Sequence, residues 1–99
     1  MTVIWNRKAE DEFIDAANYY DRQDDGLGEC FAMHIQVAIA RICGNPLMPR
    51  CFDDECRKVK ADKFPYVIIY YVESEKIHIA SIMHTSRHPD YWKSRLKNG

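Results

Sequence analysis

The amino-acid sequence predicts an α+β fold in which a helical hairpin packs on a small, twisted and mainly antiparallel sheet, in the order β-α-α-β-β-β-α. Two observations support this prediction. Apolar residues recur at helical spacing through the first half of the chain, whereas the second half holds runs that are typical of strands. The 99 residues, 46% of them hydrophobic, suit one domain over residues 1–99.

A strand and a helix open the chain. Thr2 to Trp5 alternates in residue type, which predicts a short strand, and Asn6 can cap the helix that follows. From Arg7 to about Gln23 the apolar residues fall at helical spacing, and acidic residues lie early, where the helix dipole favours them. We therefore expect an amphipathic helix with an acidic, solvated face.

A second helix follows after a short break at Asp24-Asp25-Gly26. Its apolar positions run from Leu27 to about Cys43, and Gly44-Asn45-Pro46 is a typical helix end. Because the joint is so short, the two helices should form an antiparallel hairpin. Residues 45–54 lack periodicity and are predicted to form a loop.

Three strands are predicted in the second half of the chain, over Glu55 to Ala61, Phe64 to Glu73 and Lys76 to His84. The polar turn between the last two is short enough for a β-hairpin, so the three strands should form an antiparallel meander. Pro89 can occupy the first position of a final helix that reaches about Lys97.

The charge is unevenly distributed, although the formal net charge is only −1. Residues 1–56 carry five basic and eleven acidic groups, a balance of −6, while residues 57–99 carry nine basic and four acidic groups, a balance of +5. An asymmetry of this kind suggests an anionic partner for one face of the molecule.

The four cysteines form no Cys-x-x-Cys pair and match no common zinc pattern, so we expect reduced thiols, no metal and no cofactor. The sequence contains no recognisable signal peptide and no apolar run of membrane length. We therefore expect a cytoplasmic protein without a membrane partner.

The segment from His84 to Trp92, which reads His-Thr-Ser-Arg-His-Pro-Asp-Tyr-Trp, follows directly on the last predicted strand. It brings together side chains that can move a proton, hold a phosphate and stack on a base. This end of the chain is therefore the predicted functional segment.

Several short sequences occur along the chain in order: Ala16, Tyr19, Tyr20 and Phe31 in the hairpin, then Asn45-Pro46, Arg57-Lys58-Val59, Phe64-Pro65-Tyr66, the strand Val67 to Val72, and His84-x-x-Arg87-x-Pro89-x-Tyr91-Trp92. In this order and at these distances, they make the chain resemble the RelE/ParE superfamily of bacterial toxins from type II toxin–antitoxin pairs, over nearly its full length. The resemblance implies the fold of that superfamily and a toxin that has a cognate antitoxin.

The resemblance implies one of two activities, because both occur on this scaffold. RelE-like members are ribosome-dependent endoribonucleases that cut mRNA, whereas ParE-like members inhibit DNA gyrase by binding. Metal-independent RNA cleavage needs a general base, cations on the phosphate and a general acid. The candidates are His84 as base, Arg57 and Arg87 on the phosphate, Tyr91 or Lys60 as acid, and Trp92 or Tyr91 to stack on a base.

The same residues also have structural interpretations. His84 at a strand end can simply hydrogen-bond a neighbouring loop, and Arg87 can pair with Asp90. Tyr91 and Trp92 can anchor the terminal helix to the sheet. The sequence alone leaves both sets of roles open.

The charge favours the ParE-like branch. A net charge of −1 and an acidic hairpin differ from the markedly basic RelE-like ribonucleases, since every missing phosphate contact lowers affinity for RNA. We therefore predict a ParE-like toxin that inhibits an essential target such as DNA gyrase by binding, with target contacts from Arg87, Trp92, Arg95 and Lys97. The alternatives are a RelE-like nuclease that acts on the ribosome and mRNA, and an inactive relative that only binds its antitoxin.

The expected protein partner is the cognate antitoxin. Its flexible segment should fold onto an exposed edge of the sheet or onto the groove of the helical hairpin, in a coupled folding and binding event. The larger assembly implied by the resemblance is a toxin–antitoxin heterotetramer.

Overall fold

The computed structural model describes residues 1–53, 55–87 and 92–96. Its elements are strand β1 (Thr2–Trp5), helices α1 (Arg7–Gln23) and α2 (Leu27–Gly44), strands β2 (Arg57–Lys60), β3 (Tyr66–Glu73) and β4 (Lys76–His84), and a short 3₁₀ helix (Lys93–Arg95). The predicted α+β architecture, with a helical hairpin on one sheet, is confirmed. Within the described residues, no helix is both long and apolar enough to cross a membrane.

The two helices form the predicted antiparallel hairpin. The Asn6 side chain caps α1 by accepting a hydrogen bond from the backbone N–H of Lys8 at 2.8 Å. Gly26 turns the chain between the helices with a φ of +86°, a conformation that an L side chain rarely adopts. Gly28 then lets the helices approach closely, because a Cβ atom there would lie 2.2 Å from the carbonyl oxygen of Ala17.

The sheet has the strand order β1-β4-β3-β2. β1 lies parallel to β4, from Thr2 opposite Lys76 to Trp5 opposite Ile79, while the other neighbours are antiparallel. Ser74 and Glu75 join β3 to β4 with φ values of 54° and 59°, as a two-residue hairpin turn with a matching twist requires. The prediction of a mainly antiparallel sheet is thus confirmed.

A β-bulge interrupts the pairing of β3 with β4. Ile69 faces Ser81 and Tyr70 faces Ile79, so Ala80 is the extra residue. The pairing with β1 has already ended at Ile79, and among the described residues no strand lies beside residues 80–84 on the β1 side. This free stretch of β4 borders the candidate site.

Hydrophobic side chains are buried on both faces of the sheet. The larger cluster lies between the helices and the sheet and includes Phe31, Ile35 and Tyr70. A smaller cluster on the other face contains Trp92, which is fully buried. Trp92 therefore anchors the terminal segment to the sheet, as one interpretation of the sequence expects.

The predicted terminal helix is wrong in its described part. Only Lys93–Arg95 forms a helix, of the 3₁₀ type, and Leu96 is extended with φ −80° and ψ 149°. Trp92 and Leu96 both pack against the smaller cluster, and this packing overrides the helical pattern of the sequence. The predicted start at Pro89 and end at Lys97 lie outside the described residues.

Strands β2 and β3 both begin later than predicted, at Arg57 and at Tyr66. Before β2, a turn is closed by the backbone bond from the Cys56 N–H to the Asp53 carbonyl oxygen. Before β3, Pro65 has no N–H to donate to a neighbouring strand. These local features shorten the two strands without changing their order.

Candidate functional site

A groove of about 370 Å³ lies between α1 and the end of β4. The terminal segment contributes His84 and Arg87, two of the predicted site residues, together with Ser86. The other polar side chains of the lining come from α1 and β3, namely Glu12, Asp15, Tyr19 and Tyr66. We treat this groove as the candidate functional site.

His84 is held by the turn that follows β4. Its Nδ1 atom lies 3.0 Å from the backbone nitrogen of Ser86 and 2.8 Å from the Oγ atom of Ser86. An amide N–H can only donate, so Nδ1 accepts and the ring proton resides on Nε2 in this arrangement. Nε2 is then a donor, which does not suit a general base, and the structural interpretation of His84 is the one that this geometry supports.

Aromatic rings form the wall of the groove beside His84. The rings of Tyr66 and His84 meet edge to face, with centroids 5.2 Å apart. Burial is the main cause that raises the pKa of Tyr66, the nearby Tyr20 raises it further, and Arg87 lowers it. The Tyr66 hydroxyl therefore keeps its proton at neutral pH and can act as a hydrogen-bond donor to a ligand.

Glu12 closes the free stretch of β4. Its carboxylate accepts hydrogen bonds from the Ile82 backbone N–H at 3.1 Å and from the Ser81 hydroxyl at 3.0 Å. It also receives two bonds from the Arg95 guanidinium, at 2.8 and 3.1 Å. The same guanidinium donates to the Ala80 carbonyl oxygen at 3.0 Å, so this pair satisfies one backbone N–H and one carbonyl group of the β4 edge that β1 leaves open.

The burial of Arg95 corrects one expectation. We expected its side chain to contact the target from the surface, but only 8% of it is exposed and it forms a bidentate pair with Glu12. Trp92 is likewise buried completely and offers no surface to a target. Lys97, another predicted target contact, and Tyr91, a candidate of the ribonuclease alternative, lie outside the described residues.

Arg57 does not join the groove. It lies opposite Tyr70 in the sheet, whereas His84 lies opposite Tyr66, and four residues of strand correspond to about 13 Å. The Arg57 guanidinium instead donates to the carbonyl oxygens of Leu47 and Pro49 and ties the loop after α2 to β2. The structure therefore does not place Arg57 with His84 and Arg87 in the groove.

Lys60, which was predicted as an alternative general acid to Tyr91, also has a structural role. Its ammonium group donates to the carbonyl oxygens of Ala61 at 2.9 Å and Phe64 at 3.2 Å. Neither Lys60 nor Arg57 belongs to the lining of the groove. Of the predicted catalytic set, the structure brings together His84 and Arg87 only, within its described part.

Sequence reasoning missed the contribution of α1. Glu12, Asp15 and Tyr19 are spaced by three and four residues, so they lie on one face of the helix. The acidic face was predicted, but no feature of the sequence indicated that it faces the end of β4. Glu12 could have been identified only from its contacts with Ser81 and Arg95, which are distant in the sequence.

The groove carries mixed charge. Among its described lining residues, one guanidinium, from Arg87, accompanies the two carboxylates of Glu12 and Asp15. Because Arg95 pairs with Glu12, the carboxylate that opposes phosphate beside Arg87 is that of Asp15. A surface that carries both signs of charge suits a protein partner with complementary charges. Within the described residues, no cluster of three or more His, Cys, Asp or Glu side chains is arranged to hold a metal ion.

Comparisons with known proteins agree with this architecture. Residues 3–89 match the family model described as the ParE toxin of the type II toxin–antitoxin system parDE. A solved structure described as a chromosomal ParDE toxin–antitoxin system from P. aeruginosa is similar, with 18% identity and a TM-score of 0.65. The similarity covers 85% of this chain and 95% of that one, and it shows the fold. No curated protein matches the sequence.

Proposed function

Since the chain belongs to the ParE toxin family of type II toxin–antitoxin systems, we propose that it arrests growth by binding an essential target, DNA gyrase. The family match is the observation that carries the proposal. The mixed charge of the groove supports it, because an inhibitor that docks on a protein surface needs complementary charge rather than a phosphate clamp. Arg87, whose side chain is exposed beside Tyr19, is the proposed central contact.

The geometry supports RNA cleavage less well. The proposed base His84 carries its proton on Nε2 when Nδ1 accepts from Ser86, and Arg57 lies opposite Tyr70, four residues along β3 from the Tyr66 that lines the groove. The carboxylate of Asp15 would repel the phosphate that must approach Arg87, whereas the carboxylate of Glu12 is already paired with Arg95. A ribonuclease would need a cationic site at this position, and the binding role does not.

The cognate antitoxin is the proposed regulatory partner, and the outer face of the helical hairpin is its proposed docking surface. Ile14, Met33 and Val37 lie on this face with 48–59% of their surfaces exposed. Glu10 and Ile14 line a shallow groove there together with Gln36. An amphipathic antitoxin segment with apolar and basic side chains matches this combination of exposed apolar area and acidic rim.

Substitutions on the hairpin test the antitoxin surface. Co-expression with the antitoxin encoded beside the toxin gene should yield a stable complex, and Ile14→Ser with Val37→Ser should weaken it at least tenfold. Met48→Ser, at an apolar loop residue that is 73% exposed, is the matched control and should leave the affinity unchanged. Equal affinities for both variants would refute this surface, and light scattering of the complex tests the proposed heterotetramer.

Induction of the gene in growing cells tests the proposed activity. A gyrase inhibitor should change plasmid supercoiling and produce filamentous cells, while mRNA 5′ ends stay as in uninduced cells. Arg87→Ala should abolish the supercoiling change, whereas Arg22→Ala, at an exposed arginine of the last turn of α1, should not. New mRNA 5′ ends within codons, with unchanged supercoiling, would support the ribonuclease alternative instead.

A further inference from the structure

A second cavity of about 260 Å³ lies where β1 ends, beside the middle of β4. It is separate from the groove of the proposed toxin function, and no residue lines both. Among its described lining residues, none is acidic. The polar and aromatic ones that matter here are Trp5, Asn6, Arg7, Tyr71, His78 and Arg95.

Three of these side chains have hydrogen-bonding groups that the protein does not use. Within the described residues, the Arg7 guanidinium, the His78 ring nitrogens and the Tyr71 hydroxyl form no hydrogen bond or ion pair. Arg95 differs, because Glu12 already neutralises it. A cavity that gathers unused donors and lacks carboxylates favours an anionic ligand.

Tyr71 and His78 also provide an aromatic platform. Their rings are stacked, with centroids 4.7 Å apart and planes only 3° from parallel. Ile4 pairs with His78 on the side away from Tyr71, and both Ile4 and His78 line the cavity on the β1 side. A flat ring can extend the stack there, above the apolar side chain of Ile4.

Tyr71 stays a proton donor in this setting. Burial is the largest cause that raises its pKa, and Glu73, Cys56 and Glu55 raise it further. None of these neighbours lines the cavity. The hydroxyl therefore stays protonated, and the carboxylates of Glu73 and Glu55 do not compete for the ligand position beside Arg7.

We infer that this cavity binds one nucleoside monophosphate unit, with its phosphate on Arg7 and its base stacked on His78. A guanidinium can hold a phosphate through two parallel hydrogen bonds. Each of the four bases can stack on an aromatic ring, because every base has a flat π-face. The volume lies just below the roughly 300–1,000 Å³ that is usual for small-molecule pockets, which limits the occupant to a single unit. Both a free nucleotide and the 5′ end of a nucleic acid strand carry this chemistry.

Titration of the purified full chain with 5′-AMP tests the inference. Trp5 lines the cavity, and Trp92 is buried in the cluster that contains the cavity residue Ala80, so the intrinsic tryptophan fluorescence should change on binding. 5′-AMP should bind at least about tenfold more tightly than either adenosine or inorganic phosphate, since each lacks one of the two contacts. If inorganic phosphate binds as tightly as 5′-AMP, the stacking role of His78 is overturned.

Two substitutions and two controls complete the test. Arg7→Ala should weaken 5′-AMP binding about tenfold, while Lys8→Ala, at the adjacent exposed cation outside the cavity, should not. His78→Leu, which keeps the bulk of the side chain, should reduce binding of 5′-AMP to the level of phosphate. Arg87→Ala alters the other groove and should leave nucleotide binding intact, which separates this inference from the proposed toxin activity.

The source of the ligand is read from a parallel titration with a 5′-phosphorylated single-stranded oligonucleotide. Tighter binding than 5′-AMP, still dependent on Arg7, assigns the cavity to a strand end, and weaker binding assigns it to a free nucleotide. If Arg7→Ala and Lys8→Ala proteins, both shown to be folded by circular dichroism, bind 5′-AMP equally well, the inference fails.

Discussion

Replacing Gly28 by alanine should destabilise the protein, although alanine is the better helix former. Gly28 lies in the first turn of α2, where the two helices come closest. An added Cβ would lie 2.2 Å from the Ala17 carbonyl oxygen and 2.8 Å from the Asp21 carboxyl group. Because both neighbours are held by α1, the helices must separate by most of an ångström to admit the methyl group.

The change in the free energy of unfolding combines two losses and one gain. Overpacking of this kind costs about 1–3 kcal/mol, and alanine returns about 0.5–1 kcal/mol through its helix propensity. The 2.8 Å hydrogen bond from the Gly28 N–H to Asp21 Oδ1 also lengthens, at a cost of about 1 kcal/mol. We expect a net loss of about 2 kcal/mol, which lowers the Tm of a chain of this size by roughly 10 °C.

Thermal unfolding followed by circular dichroism measures this loss. Gly44→Ala is the matched control, because no atom lies within 4 Å of its added Cβ and Gly44 ends the same helix. This substitution should leave the Tm unchanged or raise it, because it adds up to about 1 kcal/mol to the free energy of unfolding. A Gly28→Ala protein as stable as wild type would refute the close helix approach.

Two further predictions concern stability. Arg95→Met leaves the partly buried Glu12 without its cation and should cost up to about 3–5 kcal/mol in urea unfolding, whereas Arg41→Ala, at an exposed ion pair, should cost less than about 1 kcal/mol; equal losses would contradict the contribution of the Arg95–Glu12 pair. Burial raises the pKa of Tyr70 above its ordinary value of 10.0, so the folded chain holds this proton after the unfolded chain has lost it, and stability present below pH 10.0 should fall as the pH rises further. Tyr70→Phe should flatten this alkaline loss in unfolding experiments at pH 9 to 11, and an unchanged slope would refute the assignment.

Local sequence patterns predict most of the secondary structure. The limits of β1, α1 and β4 were correct to the residue, because each depends on neighbours in the chain: a capping asparagine, helical spacing and the two-residue turn before Lys76. The terminal helix was predicted wrongly beyond Arg95, because the side chains of Trp92 and Leu96 pack on a face of the sheet that distant residues create. A local sequence pattern cannot predict packing against residues that are distant in the sequence.

The candidate site was only half predictable for the same reason. His84 and Arg87 lie close in the sequence, so their neighbourhood follows from the strand that carries them. The separation of Arg57 depends on the register between β2 and β3, and the burial of Arg95 depends on where β1 ends. Both are long-range features, which residue type and spacing do not encode.

The most direct test of the proposed activity combines the purified chain with purified DNA gyrase and relaxed plasmid. A folded molar excess of the chain should inhibit supercoiling, Arg87→Ala should lose this inhibition while Arg22→Ala keeps it, and prior addition of the cognate antitoxin should abolish it. Full supercoiling in the presence of excess folded wild-type chain would contradict the proposal that this toxin acts by binding gyrase.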